Sequence, residues 1–228
     1  MNKIFGLFIL FFGLLFFGYF TWLGVQKPKI LTRYFEINDN FHSDYQKKVG
    51  KKTYHVIPPF EFDGHMGEKI SNKTFEGKVY VADFFFTRCP GICPRMSEAM
   101  AMVAKEFADE ERIMFLSHTI DPEWDNPKVL KRYANKLEAD PKKWHFVTGD
   151  QEDLKFISKK GYFVSAIPGE GAEMSDHSGK FILVDKEGTI RGYYDGIEEE
   201  EVKQMMVDIK YLLLEYKVPR KTLDYKVE

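Results

Sequence analysis

The sequence predicts an α/β domain, a central mixed sheet flanked by helices, behind a single N-terminal transmembrane helix. Three observations predict it. The run from Ile4 to Val25 carries no charged residue. Apolar strand-like runs then alternate with helical patterns from about residue 78 to about residue 160. Near the end, a hairpin pattern precedes an amphipathic stretch from Glu198 to Tyr216.

The first element is long enough to span a bilayer. At 1.5 Å per residue the charge-free run extends for roughly 33 Å, which crosses the hydrocarbon layer. Tyr19 and Trp22 stand near one end, where aromatic side chains favour the interface. A cleaved signal would have an apolar core of about 7–15 residues and a small-x-small exit. The exit here reads Thr21-Trp22-Leu23-Gly24-Val25-Gln26-Lys27. Residues 1–25 are therefore expected to be an uncleaved anchor. Lys3 precedes the run while Lys27, Lys29 and Arg33 follow it, so the positive-inside rule does not orient it. Residues 26–50 are polar, mixed in charge and without a period, the pattern of a tether, and 51–228 is expected to be the globular domain.

Within that domain, Pro58-Pro59-Phe60-Glu61-Phe62 followed by Asp63-Gly64 predicts a short edge strand and a turn. Lys78 to Thr87 is nearly continuous in apolar residues, as a strand covered on both faces would be. Cys89-Pro90-Gly91-Ile92-Cys93-Pro94 follows, then a helical stretch to about Phe107. Ile113–Leu116 predicts the next strand, and Asn126-Pro127 opens a helix to about Leu137 with Asn126 as N-cap. Trp144–Val147 predicts a third strand and Asp150–Lys160 a short helix. Lys180–Val184 and Thr189–Tyr194 form a hairpin through Asp185-Lys186-Glu187-Gly188. In the last helix Val202, Met205, Met206, Ile209, Leu212, Leu213 and Tyr216 make an apolar stripe, and four Glu at its start suit the positive end of the dipole. Met205 and Met206 belong to that stripe and read as core. Strand, βαβ, αβ, hairpin and final helix is the thioredoxin-like order.

The formal net charge is −2. Four basic residues, Lys3, Lys27, Lys29 and Arg33, precede the first acid, Glu36, so the domain proper is more acidic than the whole. Mixed, mildly acidic charge leaves no electrostatic footprint for nucleic acid. The 2 cysteines lie four positions apart. A disulfide between them would close a tiny loop and make a poor staple, so they read as a reactive or metal-binding pair.

The chemistry gathers around them. A strand feeding a helix places the first cysteine near a helix N-terminus, where unpaired N–H groups and the dipole stabilise a thiolate, with Arg88 and Arg95 as further cationic neighbours. Positions i and i+4 of a helix stand about 5–6 Å apart, close enough for a disulfide or for two sulfurs on one ion. His177, in Ser175-Asp176-His177-Ser178-Gly179, precedes the strand Lys180–Val184 on a loop expected to face the cysteines. It is the candidate third ligand, with His118 in reserve; His42 and His65 are expected to be solvated. Two thiolates and an imidazole suit Cu(I), Cu(II) or Zn(II), and copper matches a soft three-coordinate set best. Asp83, inside the apolar strand, reads either as a proton relay for thiol–disulfide exchange or as a hydrogen-bonded structural group. Asp121 and Asp125 flank Trp124 in the loop after His118, where they shape the site or serve as turn and cap residues.

Val81-Ala82-Asp83-Phe84-Phe85-Phe86-Thr87-Arg88-Cys89-Pro90-Gly91-Ile92-Cys93-Pro94 resembles the signature of the Sco/SenC proteins. Thr119-Ile120-Asp121-Pro122-Glu123-Trp124-Asp125-Asn126-Pro127 resembles their second block, with Trp124 where a polar residue is expected. Asp176-His177-Ser178, followed by Val184-Asp185 and Gly188, resembles the third. The resemblance spans roughly residues 55–215. It implies a thioredoxin-like copper protein that assists assembly of the CuA centre of cytochrome c oxidase, with Cys89, Cys93 and His177 as ligands. The implied partners are the oxidase subunit that carries CuA, and a copper chaperone or thiol reductase that supplies metal or electrons. CuA is loaded on the outer membrane face, and no Arg-rich transit segment precedes Ile4. The expected location is therefore a bacterial inner (cytoplasmic) membrane, with a single pass and the domain facing the periplasm or extracytoplasmic side. Three alternatives remain: a thiol–disulfide oxidoreductase that needs the cysteines but not His177, a redox or copper sensor, and, with least support, a peroxidase.

Overall fold

The computed structural model describes residues 31–165 and 179–217. The expected anchor, Ile4–Val25, lies outside them. Among the described residues no helix is long and apolar enough to cross a membrane.

In chain order the described elements are β1 Gln46–Val49, β2 Lys52–His55, β3 Glu61–Gly64, β4 Lys69–Ser71, β5 Val79–Phe85, α1 Cys93–Glu106, β6 Ile113–Thr119, α2 Pro127–Lys136, β7 Trp144–Thr148, α3 Gln151–Phe156, β8 Lys180–Val184, β9 Ile190–Asp195 and α4 Glu199–Glu215. One sheet has the order β4-β3-β7-β6-β5-β8-β9, and β1 and β2 form a separate hairpin. β5 pairs parallel with β6, and β6 parallel with β7. β8 runs antiparallel to β5, and β9 antiparallel to β8. The mixed sheet flanked by helices is the class the alternating pattern predicts.

Every residue of β5, β6 and β7 is buried. A strand covered on both faces has no polar side to alternate with, which explains the near-continuous apolar runs. The pleat then sorts the side chains. Val79, Val81 and Phe85 join one core with Met96 and Met100 of α1, Leu130 of α2 and Ile209 of α4. Tyr80, Ala82 and Phe84 join a second core with Phe62, Ile70, Leu154 and Tyr162. Each fully buried Phe, Leu or Met contributes about 1.5–3 kcal/mol, so these two layers hold the sheet between them.

The helix ends follow local chemistry. The Asn126 side chain accepts the N–H groups of Lys128 and Val129 at 3.1 and 3.2 Å, with Pro127 in the first turn of α2. Asp150 caps α3 in the same way. The helix predicted to reach Lys160 changes at Ile157 into a π turn that ends at Gly161.

The tether expectation does not hold for residues 31–50. Tyr34 N–H donates to Ile190 C=O at 3.0 Å and Ile37 N–H to Thr53 C=O at 2.8 Å. Arg191 Nη2 donates to Leu31 C=O at 2.6 Å, and the ring of Phe35 packs on Phe163 at 4.4 Å. Long-range backbone bonds and scattered aromatics hold this segment, and neither leaves a period in the sequence.

β5, β6 and β7 end at one edge of the sheet, and the antiparallel β8 begins there. The cysteine loop after β5, the Ile120–Asn126 loop after β6, and Gly179 at the entry to β8 thus share one end of the domain.

Candidate metal centre

α1 starts at Cys93, with Pro94 in its first turn. Cys89 lies four residues earlier in the loop, so the pair is not the stacked i, i+4 pair of a single helix. A turn brings it back instead: Cys89 N–H donates to Phe86 C=O at 3.2 Å, and Gly91 N–H points to the Cys89 sulfur at 3.4 Å. Both cysteines are free thiols, Cys89 half-buried and Cys93 buried. Burial opposes ionisation of Cys89, but the Cys93 thiol and the N–H groups of Cys93, Gly91 and Ile92 outweigh it and lower its thiol below the usual 9.0. For Cys93 burial acts together with the adjacent Cys89, and its thiol is pushed up. The less buried sulfur, Cys89, is therefore the more readily ionised of the two.

The two arginines do not supply this effect. Arg88 makes a forked pair with Asp121, Nε to Oδ2 at 2.6 Å and Nη2 to Oδ1 at 3.1 Å. Its guanidinium also lies 5.2 Å from the ring of exposed Trp124. Arg95 donates to the Ile197 carbonyl at 3.3 Å.

Asp83 lies on the face of β5 that carries Val81 and Phe85, the face packed by α1 and Cys93. Its Oδ1 accepts the Ser117 hydroxyl at 2.5 Å, and Ser117 Oγ accepts Trp144 Nε1–H at 2.9 Å. Burial pushes its carboxyl up to about 7, opposed by the Ser117 hydrogen bond. Its charge is felt at Cys93 and at Tyr133, whose hydroxyl lies 2.8 Å from Ser97 Oγ. Ser117, Trp144 and Tyr133 stand around Asp83 and the buried cysteine without having been legible as site residues.

His177 lies outside the described residues. Two positions later, Gly179 sits against the cysteine loop. A Cβ placed on it would stand 3.3 Å from Ile92 Cδ1 and 3.8 Å from Met96 Sδ. Its carbonyl accepts Gly196 N–H at 2.6 Å. Among the described residues no group of three His, Cys, Asp or Glu is placed to hold a metal. The two free thiols form a soft donor pair, open on the Cys89 side, that fits copper once a further donor joins them.

His118 does not serve as reserve ligand. Its register with Phe84 puts it on the second face of the sheet, away from the cysteines. There it is fully buried, stacked on Phe84 at 4.8 Å and edged by Phe62 and Tyr162. Nδ1 donates to Asp83 C=O at 3.3 Å, and among the described residues Nε2 has no hydrogen-bond partner. Burial holds its imidazole down to about 3. His65, expected to be solvated, is also buried, and its Nδ1 accepts Phe146 N–H at 3.2 Å. Of the two flanking acids, Asp121 holds Arg88, while Asp125 is fully buried and faces the strand ends.

Fold and site together define a thioredoxin-like domain with a pair of free thiols at the C-terminal end of its parallel strands. The SCO1/SenC family model matches residues 48–213, and the chain belongs to that family. The SCO1 protein homolog of Bacillus subtilis is 31% identical over 156 residues, covering 68% of this chain and 81% of the relative. The solved structure of BsSco is described as a member of the Sco family of cytochrome c oxidase assembly proteins with a disulfide switch. It superposes with a TM-score of 0.61 at 30% identity, covering 69% of this chain and 92% of that one. Yeast Sco1 with copper bound superposes at 0.53 and 25% identity, covering 68% of this chain and 92% of that one.

Proposed function

We propose that this chain binds copper on Cys89, Cys93 and His177 and delivers it during assembly of the CuA centre of cytochrome c oxidase. The observation that carries the reading is the pair of free thiols, one half-exposed and one buried, with Gly179 packed against the loop between them. Two residues span at most about 7 Å, which keeps His177 in reach of that loop. The copper-bound yeast relative and the assembly role stated for BsSco support the same reading. Cys89, open to solvent and readily ionised, is the donor that a partner's ligand can displace. Cys93, shielded, holds the metal until it does. The charge-free run Ile4–Val25 anchors the domain at a bacterial inner membrane with the site on the outer side, where the oxidase subunit carrying CuA is reached.

A second reading has its own support in Asp83 and in the disulfide switch described for BsSco. Here the Cys89 thiolate attacks a partner disulfide and the leaving sulfur departs as a thiolate. Cys93 gives its proton to the Asp83 carboxylate and attacks the mixed disulfide. The partner gains two electrons and Cys89–Cys93 becomes a disulfide.

Anaerobic copper titration of the reduced chain separates the two. Copper delivery predicts one tightly bound copper in the wild type and marked weakening in each of Cys89→Ser, Cys93→Ser and His177→Ala. Weak binding, or binding indifferent to His177, alongside intact reduction of protein disulfides would leave a tethered reductase.

A further inference from the structure

One carboxylate ties together the ends of β5 and β6. Asp125 is fully buried. It accepts the Thr87 N–H at 3.0 Å on Oδ2 and the Thr87 hydroxyl on Oδ1. The Thr119 hydroxyl donates to its Oδ2 at 2.6 Å. That hydroxyl oxygen in turn accepts Asp121 N–H at 3.0 Å, and Asp125 N–H donates to Asp121 C=O at 2.9 Å. Among the described residues no ion pair reaches Asp125, because the nearby guanidinium of Arg88 is engaged by Asp121.

A buried carboxylate without a cation is costly unless its oxygens are saturated by donors. The three donors here, one backbone N–H and two hydroxyls, belong to Thr87 and Thr119, which stand where the two strands end and frame the cysteine loop. Thr87 is two residues before Cys89, and the turn from Phe86 C=O to Cys89 N–H begins at the residue before Thr87. The backbone entering Cys89 is thus held by β5 behind it and by Asp125 at its side. Cys93 is fixed separately, as the first residue of α1 with its side chain in the helical core.

We propose that Asp125 is the positioning residue of the cysteine pair: through Thr87 it holds Cys89 at the separation from Cys93 that both metal binding and disulfide closure need. This rests on the assignment of Cys89 and Cys93 as the working pair in the preceding section. Asp125 touches neither sulfur; it acts on Cys89 through the loop. Removing a second-layer partner of this kind typically weakens metal affinity by about 10–100-fold.

The test uses the full chain, wild type and Asp125→Asn, with Thr119→Val as a milder variant. It removes one of the three donors to the carboxylate, and with it the acceptor of Asp121 N–H, while both bonds from Thr87 stay in place. Tyr194→Phe is the control: it removes a buried hydrogen bond, Tyr194 Oη to Asp208 Oδ2 at 3.0 Å, on the β9–α4 side. Three quantities are measured: thermal stability, anaerobic copper affinity, and the equilibrium in which the two thiols pass two electrons and two protons to glutathione disulfide, giving Cys89–Cys93 and two glutathione thiols. The expected result is about tenfold or greater loss of copper affinity and a comparable shift in the glutathione equilibrium for Asp125→Asn. Smaller shifts in the same direction follow for Thr119→Val, and none for Tyr194→Phe at similar stability. If Asp125→Asn lowers only the melting temperature, with both equilibria within about twofold of wild type, the positioning role is overturned. If Asp125→Asn does not fold, Thr119→Val decides on the same two readouts. If the wild type itself binds no copper, the delivery reading fails, and the glutathione equilibrium alone decides the role of Asp125.

Discussion

Asp83 and Asp185 are equally buried aspartates at opposite ends of the same pair of strands, and they are furnished in opposite ways. Asp185 follows β8 and is surrounded by donors. Arg33 Nε and Arg191 Nη1 reach it at 3.2 and 3.1 Å, the Thr189 hydroxyl at 2.7 Å, and the N–H groups of Glu187 and Thr189 at 3.0 and 2.9 Å. Arg191, itself buried, also binds Glu215 at 2.6 Å and the carbonyls of Leu31 and Thr32. Asp83 takes one side-chain hydrogen bond among the described residues, from Ser117. The first carboxylate closes the fold by joining the segment entering at Leu31 to the β8–β9 turn and α4. The second is left able to exchange a proton, and it stands on the cysteine side of the sheet. Equal burial thus goes with very different furnishing, in both the count and the charge of the donors.

The sharpest way to break this comparison is to remove the cation from the saturated site. Arg191→Leu takes the fully buried guanidinium away from Asp185 and Glu215 and leaves Arg33 as their remaining cation. Removing one partner of a buried pair costs about 3–5 kcal/mol. The expected outcome is a large fall in the denaturation midpoint, with copper affinity of the remaining folded protein unchanged. A loss below about 1 kcal/mol would show that the charge network does not hold the fold.

Asp83→Asn should do the reverse. With its carboxyl raised from 3.8 to about 7 by burial, the folded state keeps a proton that the unfolded state has released between those values. Its stabilising contribution is present at low pH and is lost as the pH rises through about 7. Replacing it by Asn removes that loss and raises stability at pH 8 by about 1–3 kcal/mol, on the order expected from the linkage. If Asp83 serves the dithiol, disulfide exchange slows by about tenfold or more in the same variant, since positioned acid–base groups contribute that much or more. Denaturant titration at pH 5 and pH 8, with exchange kinetics against a model disulfide, reads both. An unchanged exchange rate would make Asp83 structural.

The smallest effect concerns the group behind Asp83. Among the described residues His118 Nε2 has no hydrogen-bond partner inside its aromatic cage, so His118→Phe should gain about 1 kcal/mol by removing an unsatisfied polar atom. His55, His65 and His145 are likewise lowered, each chiefly by burial. These depressed values mean that the unfolded chain takes up protons first as the pH falls below 6.5, so stability falls with acid in that range, opposite in sign to Asp83. Unfolding midpoints at pH 7, 6 and 5 should drop for the wild type and drop less for His118→Phe. Equal slopes would show that His118 is not among the groups responsible.

Much of the site could be read from the chain because it is local. Cys89, Cys93 and the strand carrying Asp83 fall within a short stretch, and the cap at Asn126 is set by its own neighbours. His177 is an expectation from its place before β8, and it lies outside the described residues. The clamp at Asp125 was not legible, because its carboxylate meets Thr87 across 38 positions and a turn-forming Asp gives the same local signal. His65 reads as a solvated turn residue although the fold buries it, since burial depends on what packs above it.

By itself, then, the sequence determined the succession of strands and helices, the position of the dithiol after the first central strand, and the soft character of its donors. These follow from hydrophobic period and residue chemistry, which act over a few positions. Only the tertiary structure decided that Asp83 and His118 lie on opposite faces, that residues 31–50 pack on the domain, and that Asp125 holds the cysteine loop. The first depends on strand register, where a slip of one residue would send Asp83 or His118 to the other face. The other two depend on contacts between distant segments.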